Sequence, residues 1–120
     1  MSGSKNWNNL PAGPGANMAL HLDDNGYLQD LGEWDEDTAH QLAELESIQL
    51  TEEHWELIGL ARRYYVEFDH APAMRPLVKW VKEIAGPAKG NSIYLHNLFS
   101  VSPARQLARV SGLPRPTKCL

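Results

Sequence analysis

The spacing of apolar residues along this chain changes character after its first quarter. Residues 19–31 read ALHLDDNGYLQDL, with apolar and polar positions alternating on either side of Asp24-Asn25-Gly26. Asn25-Gly26 supplies the positive-φ pair that a tight hairpin turn demands, so a small β-hairpin is expected to open the fold. From there the period becomes helical. Asp35 can cap a helix over about 36–48 that turns Ala39, Leu42, Ala43 and Leu45 inward. Thr51 caps the next, roughly 52–68, with Glu52 and Glu53 at the positive end of its dipole. Its Trp55, Ile58, Tyr65 and Phe68 form one apolar stripe, widened by Leu57, Leu60 and Tyr64, which makes this helix central.

Three shorter helices follow. One starts near Ala73, tolerates Pro76 in its first turn and runs to about Ala85 before Gly86-Pro87. It buries Met74, Leu77, Val78, Val81 and Ile84, and carries Arg75, Lys79 and Lys82 on the other side. Another spans Asn91 or Ser92 to Phe99, and the last runs from Pro103, capped by Ser102, to Val110, with Gly112 as its terminator. The fold class is therefore mainly α, with a minor β part: a compact helical bundle with one N-terminal hairpin and an extended C-terminal arm. The divisions are residues 1–17, 18–110 and 111–120. The first is a disordered leader or a remnant of cloning, being rich in Asn, Gly, Pro and Ser without hydrophobic period.

Charge adds a polarity that the periodicity does not show. Residues 1–61 hold twelve acidic side chains and one lysine, whereas 62–120 hold three acids and ten Lys or Arg. The C-terminal half thus suits an anionic partner, either an acidic protein surface or nucleic acid, if these are more than solvated faces. No apolar run approaches the roughly 20 residues of a membrane span, and the start lacks a signal peptide's apolar stretch, so the expected location is the cytoplasm. A single cysteine excludes a disulfide framework and a cysteine-built zinc site.

Several motifs support only structural readings. The histidines at 21, 40, 54, 70 and 96 are scattered without metal-ligand spacing. The carboxylates of DEDTAH and TEEHWE fall in first turns of helices, where capping explains them. GPAKGNS lacks the phosphate-loop frame and follows no strand, so it reads as a turn. A helix-turn-helix DNA reader is the rival from another functional class, with Arg75, Lys79 and Lys82 on its recognition helix. That face offers no Asn, Gln or Ser to read base edges, and the net charge of −4 opposes it.

The tail holds the most specific feature. Cys119, the only thiol, is the penultimate residue, beyond Gly112, Pro114 and Pro116. The prolines hold their own φ near −65° and bias their neighbours away from helix, so 111–120 is expected to be an extended, mobile arm, with Leu113 and Leu120 as its anchors should it dock on the body. At roughly 3.3 Å per residue it carries the thiol about 25 Å from the body. A packing cysteine has no use for that reach, whereas one that enters the active sites of two proteins in turn does. Lys118 favours the thiolate and the terminal carboxylate of Leu120 opposes it. On residues alone, an uninvolved terminal thiol remains the simpler account.

The runs GNSIYLHNLF and PARQLARVSGLPRPTKCL resemble the TusE/DsrC family, as do GYL near the start, LTEEHWELI in the central helix and APAMRPLVK in the next. The resemblance covers roughly residues 18–120. It implies a mostly helical bundle with an N-terminal hairpin, whose arm cysteine, here Cys119, accepts sulfur as a persulfide. DsrC-type members carry a second arm cysteine at the position of Ala108, eleven before Cys119, so this chain looks like the TusE branch. That branch is implied to take sulfur from an upstream TusBCD-like relay complex and pass it to a tRNA 2-thiouridine synthase, touching tRNA only indirectly and no membrane. The alternative is a DsrC-like carrier that works with a sulfite reductase. Thiol chemistry of this kind requires no metal or organic cofactor. Gly112, Pro114 and Pro116 then shape the arm, Arg115 and Lys118 stabilise the persulfide anion, and Arg105 and Arg109 dock the partner.

Overall fold

The computed structural model describes residues 20–116; the leader, Lys118 and Cys119 lie outside the described residues. Among the described residues the chain is mainly helical. A single 3-10 turn, Leu31–Glu33, leads into α1 (Glu36–Leu45), α2 (Glu52–Phe68), α3 (Met74–Ala85), α4 (Ser92–Leu98) and α5 (Pro103–Val110). No helix among them is long and apolar enough to cross a membrane.

The opening reversal turns at a single positive-φ residue. Gly26 alone has positive φ, at 86°, and Asn25 does not share it. The Asp23 carboxylate accepts from the backbone N–H of Asn25 and Tyr27 at 2.9 and 3.0 Å, holding the loop from inside. One isolated antiparallel bridge, Leu22 to Leu28, closes it, and no strand is formed among the described residues. The part of the expected hairpin before Leu20 lies outside them.

Side chains at the helix ends explain where each helix starts and stops. Asp35 Oδ1 accepts from Thr38 N–H at 2.8 Å and begins α1. The helix ends at Leu45 rather than near 48, because Ser47 turns left-handed (φ 59°) and two bonds close back over the end. These run from Ser47 N–H to Glu44 O and from Ile48 N–H to Ala43 O, at 3.0 and 2.9 Å, a Schellman termination. Leu45, expected inside, is consequently 64% exposed. At the start of α2, His54 occupies the place that Glu or Gln takes in a capping box. Its Nδ1 accepts from Thr51 N–H at 3.0 Å, and its Nε2 lies 2.9 Å from Leu98 O, where only a donor fits, so both ring nitrogens are assigned and α2 is tied to α4. At α5 the expected Ser102 cap is not made. The buried Gln106 carboxamide accepts from Val101 and Ser102 N–H instead, at 3.2 and 3.0 Å.

α5 packs against each of the other four helices, so it is the element around which the core is assembled. Its Leu107, Ala108 and Val110 meet Leu42 and Ala43 of α1, Leu57, Ile58 and Ala61 of α2, Leu77 and Val81 of α3, and Leu95 of α4 in one buried cluster. Tyr27 and Leu113 complete it, and they come from the opening reversal and from the segment beyond α5. Full burial of each leucine, isoleucine or valine among them contributes about 1.5–3 kcal/mol before entropy is counted.

Candidate functional site at the base of the C-terminal arm

The segment leading toward Cys119 leaves the body through a second Schellman termination. Gly112 is left-handed (φ 71°), its N–H reaches Arg109 O at 3.1 Å, and Leu113 N–H reaches Ala108 O at 2.9 Å. Gly at that position, Leu next and Pro after it is the residue order such a motif requires: freedom at positive φ, an apolar contact, and a residue that cannot continue the helix. Leu113 is 2% exposed and Ser111 fully buried. The arm expected to begin at 111 is therefore body structure through Leu113, and Pro114, Arg115 and Pro116 are the described residues that emerge from it.

Trp34 clamps this exit. Its indole N–H donates to Val110 O at 2.8 Å, and its ring lies against Gly112 so closely that a Cβ there would sit 2.4 Å from Trp34 Cδ1. The Arg62 guanidinium stacks over the same ring at 4.0 Å and donates to Ser111 O. Two successive carbonyls at the end of α5, which would lack intrahelical partners, are thus satisfied from outside the helix.

Tyr27 lies in the same buried cluster as Leu113. Its ring is 1% exposed, and its hydroxyl has no partner among the described residues. Burial pushes the phenol above its ordinary range, against the opposing pull of Arg109, Arg105 and Arg115. It stays protonated, a buried O–H donor in a field of three cations. Three of the arginines singled out from the sequence thus act electrostatically on one group, but in different situations. Arg109 is engaged within the fold: Nε donates to Asn25 O at 3.1 Å, Nη1 lies 3.3 Å from Glu46 Oε2, and the guanidinium sits 4.9 Å from the Tyr27 ring. Arg105 and Arg115 are exposed. Ala108 is 2% exposed on the core side of α5. Trp34, Arg62 and Tyr27 were not legible as site residues, since two sit in acidic or turn segments and the third reads as one more helix-face cation.

Among the described residues no cluster of three or more His, Cys, Asp or Glu side chains is placed to hold a metal ion. Residues 15–120 match the family described as DsrC like protein. The chain belongs to the DsrC-like family. Similar proteins include a sulfurtransferase TusE homolog of Haemophilus influenzae, 49% identical over 103 residues that cover 86% of this chain and 94% of that protein. Among solved structures, DsrC of Allochromatium vinosum superposes with a TM-score of 0.75 at 45% identity, covering 82% of this chain and 88% of the other. The oxidized gamma-subunit of the dissimilatory sulfite reductase (DsrC) of Archaeoglobus fulgidus gives 0.72 at 42% identity, covering 84% and 92%. Within this DsrC-like frame the clamp of Trp34, Arg62 and Gly112 fixes the exit of the chain from α5 as far as Leu113.

Proposed function

We propose that this DsrC-like protein is a sulfur carrier, a sulfurtransferase whose Cys119 holds sulfur as a persulfide between a donor and an acceptor protein. The observation that carries the reading is the position of the only thiol, at the end of a Gly-Leu-Pro-x-Pro segment whose base is anchored through Leu113. Six residue steps separate Leu113 from Cys119, a span of up to about 20 Å, which shortens the reach expected from the sequence but still suits entry into a partner's cleft.

The chemistry balances without an oxidant. The Cys119 thiolate attacks the outer sulfur of a donor persulfide, forms the new S–S bond and expels the donor's thiolate. An acceptor cysteine then attacks the terminal sulfur of Cys119 and releases the Cys119 thiolate unchanged. With Ala108 where DsrC-type members carry a second cysteine, the chain has no internal disulfide to form, and each cycle passes through partners. The name borne by the Haemophilus relative supports sulfur transfer. On the TusE reading the donor is a TusBCD-like relay complex, the acceptor a tRNA 2-thiouridine synthase, and the product the thiolated wobble uridine. Arg115 and Lys118 stabilise the persulfide anion next to the thiol. Arg105 presents its exposed guanidinium to the partner, and Arg109 supports it from within the fold.

The test is sulfur transfer from a persulfide donor to an acceptor protein, with wild type and Cys119→Ser compared. Loss of transfer with an unchanged thermal midpoint supports the reading, since the substitution exchanges a single atom. Transfer that survives in Cys119→Ser contradicts it.

A further inference from the structure

A second feature is an open groove of about 480 Å3 between α2 and α3. Its wall is aromatic. Tyr64 meets Trp80 edge-on at 5.4 Å, and Phe68 lies 4.5 Å from Tyr64 and 5.7 Å from Trp80. Trp80 is held in place by its indole N–H, which donates to Leu60 O at 2.9 Å. Phe68 belongs to the apolar stripe of α2 and was expected inside, yet it is 46% exposed because α3 covers only part of that stripe. Arg75 and Lys79, one turn apart on α3, line the groove beside these rings, with Glu83 a further turn along. Neither cation is ion-paired among the described residues.

An apolar wall with two unpaired cations at one end calls for an occupant with an apolar anchor and carboxylates beside it. A nucleic-acid strand fits less well. Glu83 would face its phosphates in the same groove, and the chain as a whole is anionic, at −4. We propose that this groove docks an acidic, amphipathic segment of a partner protein, whose large apolar side chain lies on Phe68 and Trp80 while its carboxylates meet Arg75 and Lys79. Glu83 gives the site a direction, because the acidic end of the occupant must lie toward the start of α3. Such a surface recognises the body of the protein independently of Cys119, so the inference stands whether or not the cysteine carries sulfur.

The probe is a synthetic peptide with a Leu-Trp-Leu core flanked by Asp and Glu, alongside its counterpart with Lys at every acidic position. Both are titrated into the 15N-labelled full-length chain while the Trp80 indole N–H signal is followed. The acidic peptide is expected to shift that signal and the lysine peptide is not. Arg75→Glu with Lys79→Glu should weaken the acidic peptide by about tenfold or more, equivalent to about 1.4 kcal/mol, with the thermal midpoint kept. Phe68→Ala, at a half-exposed position, should weaken it as well. Equal binding of the two peptides, no shift at Trp80, or indifference to the charge reversal would each overturn the proposal. Stronger, steeply salt-dependent shifts of Trp80 by single-stranded RNA would overturn it in favour of a nucleic-acid surface.

Discussion

Replacing Gly112 by alanine should be among the most damaging single changes in the chain. Two independent costs arise. Alanine at φ 71° meets the left-handed penalty, about 1–2 kcal/mol for a residue with a Cβ. The added carbon would also lie 2.4, 2.7 and 2.8 Å from Cδ1, Cγ and Cβ of Trp34, far inside the roughly 3.5–4.0 Å of a normal carbon contact. Trp34 must then move, which stretches its bond to Val110 O, worth about 1 kcal/mol, and removes part of the Arg62 stacking, worth about 0.5–1 kcal/mol. Together these give a loss of about 2.5–4 kcal/mol, a large share of the roughly 5–15 kcal/mol that keeps a small domain folded. Urea unfolding of wild type, Gly112→Ala, Trp34→Ala and the double variant measures it. In the Trp34→Ala background the cost of Gly112→Ala should fall by about 1–2 kcal/mol. It should not vanish, because the positive φ and the close Cβ of residue 34 both persist. A Gly112→Ala cost below about 1 kcal/mol, or one unaltered by Trp34→Ala, would refute the clamp.

Three further outcomes follow from the same contacts. His54→Ala should destabilise the fold by about 2–3 kcal/mol in chemical denaturation, since it leaves Thr51 N–H and Leu98 O without their partner and opens a cavity beside Phe99. Asp35→Ala should cost about 1 kcal/mol at neutral pH. The Asp35 carboxyl is held below its ordinary range, chiefly by the Thr38 backbone N–H, so the cap's contribution is present above the unfolded value of about 3.9 and lost as pH falls through the folded one. The gap between wild type and Asp35→Ala should accordingly close below about pH 4 in thermal melts; a constant gap contradicts the cap. Duplex DNA should bind weakly at physiological salt, because the acidic half offsets the basic one. Tight, sequence-selective binding unaffected by Cys119→Ser would instead favour the helix-turn-helix reading.

The helices were legible because their signals are local. Asp35, Thr51, Pro103 and Gly112 mark boundaries through their own local chemistry, and the apolar spacing of α2 and α3 picks out Leu57, Ile58, Leu60, Leu77 and Val81 of the core. The misplacements have equally local reasons. Leu45 and Ile84 continue an apolar period to the last turn of a helix, but periodicity carries no information on whether that turn is covered, and both are exposed. The clamp was illegible for the opposite reason. Trp34 and Val110 are 76 residues apart and Arg62 and Ser111 are 49 apart, so nothing in either segment announces the other. The Gly-Leu-Pro order was visible, and the segment was expected to be extended from residue 111 unless Leu113 docked it on the body; Leu113 is buried in the core.

The central claim is that Cys119 carries sulfur, and peptide mass spectrometry tests it most directly. After incubation of the reduced protein with a persulfide donor and alkylation of the products, the C-terminal peptide should gain the mass of one sulfur atom on Cys119, and lose it again when an acceptor thiol protein is added. A Cys119 that stays unmodified under conditions that load an established carrier would contradict the account.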